Sequence, residues 1–192
     1  NCPEFKLAPI QFFVGSAEGG LSPGGVPQGF ISGFNYKNLP AFIRRKFVIP
    51  YWVFTLTDMD DRFYAMGRFL VASDKVAGFG GFSPLAIINM VKTLLRNLPM
   101  LEQDIRDGTL TLNQPLPPGP WSPEAMPTFR PDPALAQKIV QWQNANRPVP
   151  ELMQLLFPKL QYIASWMGGN MSYTMESLLQ LLGPKQVHEM PF

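Results

Sequence analysis

The chain has 192 residues, 46% of them apolar, and a formal net charge of +2. That is long enough for a hydrophobic core, and the Lys and Arg residues form no basic stripe interleaved with aromatics, so nucleic acid is not an expected partner. Cys2 is the sole cysteine and His188 the sole histidine, which excludes an internal disulfide and a Cys/His zinc cluster built by this chain alone. There is no Lys/Arg-led apolar leader and no unbroken apolar run near about 18 residues. No membrane partner is expected, and a cytoplasmic location, or an organelle, is the simple expectation.

Phe5 to Val14 is rich in aromatic and branched residues and reads as a strand. Gly15 to Gly33 holds seven glycines and two prolines. Its spacing fits neither a P-loop nor a dinucleotide fingerprint, so it reads as a structural loop or lid, with ligand contact as the other reading. Asn38 to Phe47 is expected to be a short helix capped by Asn38 and stopped near Pro50. Thr57 to Val71 is the clearer helix. Thr57 or Asp58 can cap it, and Asp58, Asp60 and Asp61 sit in its first turn, where the helix dipole favours anions. A charged helix start explains these three better than a metal site, because no further ligand lies at a defined spacing. Phe63, Met66, Phe69 and Leu70 recur at helical spacing and are expected to face the core.

Lys75 to Phe79 reads as a short buried strand. Gly80-Gly81-Phe82-Ser83-Pro84 is then a turn into a helix from Leu85 to Leu98, with Ser83 as cap, Pro84 first, and a stripe of Leu85, Ile88, Val91 and Leu95. A strand, a Gly-rich turn and a helix in succession also build ligand-binding edges. Leu101 to Arg106 adds an amphipathic turn closed at Gly108. From Leu110 to Pro131 the prolines forbid a continuous helix or a central strand. The stretch reads as an extended crossing with Trp121 pinned in a groove, or as a ligand for a proline-recognition module.

Helices are expected over Asp132 to Asn146, capped by Asp132, and over Val149 to Phe157. Tyr162 to Trp166 (YIASW) is a strand, Met167 to Ser172 a tight loop, Tyr173 to Leu182 a helix and Gln186 to Met190 a strand. Tyr173, Met175, Leu178, Leu179 and Leu182 are available for packing. This is a βαβ unit, which predicts parallel, neighbouring strands. The fold class is therefore α/β, a mixed or parallel sheet with flanking helices. Residues 1–109 form an α/β segment, 110–131 the Pro-rich crossover, and 132–192 the later helices and the βαβ unit, all within one large domain. Gly168 and Gly169 follow a strand directly. The pair suits a simple tight turn and also a flat ligand lying against bare backbone, with the Asn170 amide beside it. His188 and Glu189 alternate on the last strand and point to opposite sides, so they do not converge on one reaction. Glu18 and Glu176 read as solvated.

Several blocks resemble the GH3 family of acyl-acid amido synthetases, a branch of the adenylate-forming enzymes. The stretch from Phe157 to Met190 resembles the family's lead into a strand, its Gly-x-Met-x-x-Tyr loop, a helix and a second strand. The loop here reads Gly169-Asn170-Met171-Ser172-Tyr173. Gly25-Val26-Pro27-Gln28-Gly29 with Ser32-Gly33, Tyr64-Ala65-Met66, Phe82-Ser83-Pro84-Leu85 and Leu101 to Leu110 follow the family order. The resemblance implies an incomplete piece of an N-terminal domain from an ATP-dependent acid–amine ligase. Such an enzyme adenylates a carboxylic acid with ATP and Mg²⁺ and passes the acyl group to an amine or amino acid. It also implies that Gly168, Gly169 and Asn170 flank the adenosine, that Met171 and Tyr173 shape the inner wall, and that Phe82 and Ser83 lie near the acid. From the residues themselves, Phe79, Phe82 and Met90 beside the Ser83-Pro84 cap read as an apolar slot for the body of the acid, with ordinary core as the other reading of Phe82. The resemblance places no catalytic residue and no metal ligand in this stretch. The chain opens on Asn1 and closes on a strand, so both ends are expected to be cut. The family's phosphate loop, its Ser-Glu pair and its lid are expected in missing N- and C-terminal parts of the same protein. The piece alone is then expected to be inactive, and poorly soluble or molten. The competing reading is a non-catalytic binding or scaffolding protein that retains the fold.

Overall fold

The computed structural model describes residues 10–44, 47–73, 75–81, 83–115, 129–169 and 171–189. In chain order these form β1 (Ile10–Phe13), β2 (Gly20–Leu21), β3 (Pro27–Gln28), α1 (Ile31–Asn38), α2 (Ala41–Arg44), a 3-10 turn (Tyr51–Thr55), α3 (Met59–Val71), β4 (Gly78–Gly81) and α4 (Pro84–Arg96). There follow α5 (Leu98–Asp107), α6 (Pro133–Asn144), α7 (Val149–Leu156), β5 (Tyr162–Ser165), α8 (Met171–Leu182) and β6 (Gln186–Glu189).

The main sheet has the order β1-β4-β5-β6, and every pairing is parallel. The parallel βαβ unit expected at the end of the chain is present as β5-α8-β6, its strands direct neighbours. Alternation along the strands places Phe13, Phe79 and Ile163 on one side of the sheet. That side carries the core, where Phe79, Ile87, Met90, Val91, Leu94, Ile163 and Leu178 are fully buried. Helices α3 and α4 touch through Gly67, where a Cβ would stand 2.6 Å from a methyl of Leu94. On the other side Phe12, Tyr162 and His188 line up, and the Tyr162 and His188 rings meet edge-on at 5.8 Å.

The expected strand Lys75 to Phe79 lies further along, at Gly78–Gly81. Its position follows from close approach. A Cβ on Gly78 would meet the Tyr162 ring at 2.3 Å, and one on Gly80 would meet the Phe12 ring at 2.7 Å. Only a strand without side chains at those places accepts the two rings.

The Gly-rich stretch is not one loop. It contains the antiparallel β2–β3 hairpin and leads into α1. Asn38 ends a helix instead of opening one, because Leu39 precedes Pro40 and takes an extended conformation, ψ 141°. Glu18, expected to be solvated, accepts from the Tyr51 hydroxyl at 2.6 Å and is paired with Lys37. It thereby ties the hairpin to the 3-10 turn.

Asp58 caps α3, accepting from the Asp61 N–H at 2.8 Å. Asp61 itself is 1% exposed and is not part of a solvated helix start. Its carboxylate accepts from the Asn113 N–H and side-chain amide and from the Gln114 N–H, at 2.8–3.0 Å. Asp104 does the same for residues 109 and 111. It accepts from the Tyr64 hydroxyl at 2.6 Å, the Thr109 hydroxyl at 2.5 Å, and the N–H and hydroxyl of Thr111, both at 2.8 Å. Two buried carboxylates thus pin residues 109–114, the entry to the Pro-rich crossover. Residues 116–128, with Trp121, lie outside the described residues. The amphipathic turn near Leu101 is a ten-residue helix, α5, closed by Gly108 in the left-handed region at φ 71°.

Ten large apolar side chains are exposed among the described residues, and six of them fall between Leu21 and Phe42: Leu21, Val26, Phe30, Ile31, Phe34 and Phe42. From Gly19 to Thr57 the chain has no carboxylate at all. No helix among the described residues is long and apolar enough to cross a membrane.

Candidate functional site

The carboxyl ends of the four parallel strands make one edge of the sheet, with Phe13, Gly81, Ser165 and Glu189 in a single register row. Helices α4 and α8 both start from this edge. Their free N–H groups and positive dipole ends are therefore presented there, which is why open parallel sheets hold ligands on this side.

Ser83 caps α4 as its sequence predicts, accepting from the Leu85 N–H at 3.2 Å, with Pro84 following. The same hydroxyl donates to the Met171 sulfur at 3.7 Å. Met171 opens α8, so the turn after β4 and the turn after β5 meet although 88 residues separate them. Gly169 lies in the left-handed region, φ 63°, and no heavy atom comes within 4 Å of the place a Cβ would take. The backbone there is bare and faces open space. Gly168 differs, since a Cβ on it would stand 2.7 Å from the Trp166 indole. The ring lies across Gly168 and remains 40% exposed. The Ser172 hydroxyl donates to the Gly169 carbonyl at 3.4 Å and closes the turn.

The structure therefore brings Ser83, Met171, Gly168 and Gly169 to one edge. Tyr173 stands nearby but is 71% exposed, so it does not pack into α8's buried side as expected. Leu85, the first residue of the expected α4 stripe, is likewise 48% exposed, because the helix turns Ile87, Ile88, Met90, Val91 and Leu94 inward instead. Phe79 sits below the edge with no exposed surface, its ring edge-on to Phe13 at 5.6 Å and to Phe157 at 5.3 Å. Phe82 and Asn170 lie outside the described residues. His188 and Glu189 are both exposed and stand on opposite sides of β6.

Two residues not singled out from the sequence belong to this edge. Trp166 offers a flat exposed ring beside the bare Gly169 backbone. The available signal was an aromatic between a strand and a Gly-Gly pair. Ser165 is fully buried at the end of β5, and its hydroxyl has no hydrogen-bond partner among the described residues. The donors at the edge are neutral hydroxyls and backbone N–H groups. Among the described residues no group of three or more His, Cys, Asp or Glu side chains is gathered that could hold a metal ion.

The GH3 family N-terminal domain model matches residues 3–187. Two solved structures are similar. One is the GH3.15 acyl acid amido synthetase, 20% identical, with a TM-score of 0.69, covering 95% of this chain and 32% of that one. The other is the AtGH3.15 acyl acid amido synthetase in complex with 2,4-DB, 18% identical, with a TM-score of 0.68, covering 96% of this chain and 32% of that one. The chain thus spans about a third of the length of the structures it matches. No curated protein matches it. The shared feature is the α/β fold, a parallel sheet with flanking helices. With the family's N-terminal domain model matching this chain nearly from end to end, the chain belongs to the GH3 family.

Proposed function

We propose that this chain is the central portion of a ligase that activates a carboxylic acid with ATP and transfers the acyl group to an amine or amino acid. The observation that carries the reading is the edge where Ser83 meets Met171 beside the bare backbone of Gly169, within a chain of the GH3 family. In the reaction a carboxylate oxygen attacks the α-phosphorus and pyrophosphate leaves. The amine nitrogen then attacks the acyl carbon, and AMP leaves.

A nucleotide fits the residues present. The space over Gly169 is where a Cβ would otherwise stand, and it admits a flat base against the backbone. Gly168, Gly169 and Asn170 would flank the adenosine, with Met171 and Tyr173 at its side. The Trp166 ring supplies a stacking surface. The α8 N-terminus supplies positive potential toward the phosphates. Phe82 and Ser83 would stand next to the acid, and Phe79 lies in the core below the edge. Mg²⁺ would neutralise the leaving pyrophosphate, and the described residues offer no carboxylate cluster that fits it. Its ligands and the phosphate clamp are assigned to other parts of a longer polypeptide. A cytoplasmic location suits a small acid and an amino acid as substrates.

The test is acid-dependent exchange of labelled pyrophosphate into ATP, run on the complete protein over a panel of carboxylic acids. Exchange that requires one class of acid supports the ligase. ATP binding without exchange for any acid would instead favour a binding or scaffolding protein on the same fold.

A further inference from the structure

Helices α4 and α8 lie side by side, and a furrow of about 610 Å³ runs between them on their solvent side. Leu85, Ile88 and Lys92 line it from α4, and Tyr173, Ser177 and Leu181 from α8. On both helices these residues recur every three or four positions, so each set forms one straight stripe. The furrow starts where both helices start, at the sheet edge, since Leu85 follows Ser83-Pro84 and Tyr173 follows Met171-Ser172. Its volume lies within the range of small-molecule sites. Leu85, Ile88 and Leu181 give it an apolar floor.

Lys92 stands seven residues beyond Leu85, about 10 Å further along the helix axis. It is exposed and has neither an ion pair nor a hydrogen bond among the described residues. Lys75, Lys138 and Lys159 are likewise without an ion pair among the described residues, but none of them lines the furrow. Lys37 is paired with Glu18, Arg96 with Asp60, Arg106 with Glu102, and Arg147 with Glu151. The furrow is thus an apolar track with an unanswered positive charge well away from the edge where the nucleotide would sit.

We propose that the furrow holds the far end of the acid substrate, and that Lys92 pairs with a second anionic group on it. The ligand class is an acid with an apolar body and an anion at each end. The inference rests on the ligase reading only for which end reacts. One carboxyl lies at the edge beside Ser83, the chain crosses Leu85 and Ile88, and the distal carboxylate meets the Lys92 ammonium.

Calorimetric titration of the complete protein with decanedioate and with decanoate tests this without turnover. The expected result is that the wild-type protein binds decanedioate about tenfold more tightly than decanoate, the size of one partly exposed charge-assisted contact. In Lys92→Met that preference disappears while decanoate affinity holds. Ser177→Phe, which fills the furrow, weakens both acids. Equal affinity of the two acids for the wild-type protein overturns the proposal, and so does a preference that survives Lys92→Met. Pyrophosphate exchange run in parallel separates the two readings. Exchange supported by decanoate with no dianion preference leaves the ligase standing and removes the furrow. Dianion preference without exchange for any acid of the panel removes the ligase and keeps the furrow as a binding site.

Discussion

Replacing Asp104 by Asn should cost about 2–4 kcal/mol of stability at neutral pH. The carboxylate is 1% exposed and receives four hydrogen bonds, from Tyr64, Thr109 and two groups of Thr111. An amide keeps one acceptor oxygen and presents N–H₂ to the remaining donors. The Tyr64 and Thr hydroxyls can turn, but the Thr111 N–H cannot, and a buried unsatisfied donor costs about 1–3 kcal/mol. The loss of charge adds to this. Burial presses the Arg68 guanidinium below its ordinary value, and the neighbouring Asp104 charge partly offsets that. Burial alone would raise Asp104, but the hydrogen bonds from Thr109, Tyr64 and Thr111 outweigh it and hold the carboxyl below the usual value.

A depressed folded-state pKa has a definite sign. The stability it contributes is present above the unfolded value of about 3.9 and is lost as pH falls through the folded value. The gap between wild type and Asp104→Asn should therefore be full at pH 7 and close in acid. Urea unfolding followed by circular dichroism measures it, with Tyr64→Phe as the one-bond control at about 1–2 kcal/mol. The melting temperature should drop by about 10 °C. A variant within about 1 kcal/mol of wild type at pH 7, or a gap that persists undiminished in strong acid, would refute this account of the hub.

Four shorter predictions concern other parts of the chain. Gly169→Val should weaken ATP binding severalfold at a folding cost of only about 1–2 kcal/mol for the left-handed backbone, read by titration and thermal melting; unchanged ATP affinity removes this loop from the site. Phe79→Ala should cost about 3–5 kcal/mol and leave the ratio of kcat/KM between a small and a large acid unchanged, whereas a changed ratio with intact stability would place the ring in the acid pocket. Tyr36 and Tyr51, both pushed up to about 12, mainly by burial and for Tyr51 also by Glu18, should ionise late in an absorbance titration. The stability they give is full below about pH 10 and lost as pH rises toward 12. Finally, Phe34→Glu should suppress concentration-dependent association in sedimentation velocity, and equal association of the two proteins would show that the exposed surface around α1 is not what sticks.

Much of the architecture was legible because it depends on local chemistry. Asp58, Ser83 and Asp132 cap their helices, and Gly108 closes one, as their side chains or backbone freedom dictate. The βαβ unit followed from short apolar strands around one amphipathic helix. What was not legible depends on distant partners. Nothing near Asp61 in the chain announces that Asn113 and Gln114 will come to it, and nothing near Glu18 announces Tyr51. The register of β4 is set by rings from Phe12 and Tyr162, so its own apolar residues, Val76 and Phe79, pointed two to three positions too early. At the candidate site the Gly-Gly pair was visible as bare backbone. That Trp166 would cover one glycine and leave the other open requires the backbone angles of the folded turn.

The strands of the main sheet stand side by side in the order in which they are synthesised. Among the described residues no strand has to be inserted between two that are already paired, so this sheet can grow by addition at an edge. The additions differ in difficulty. Joining β6 to β5 closes only α8 and its turns, whereas Gly78 meets Tyr162 only after the helices from α4 to α7 have been laid down. Loop closure of that length precedes any reward from contact, which makes the β4–β5 seam, like the β1–β4 seam closed over a similar length of chain, slower to form than β5–β6. The glycines of β4 sharpen this, because its surface is completed by Phe12 from one neighbour and Tyr162 from the other. A strand finished by both its neighbours has little reason to settle until each has arrived, and the ligand edge built on it matures last.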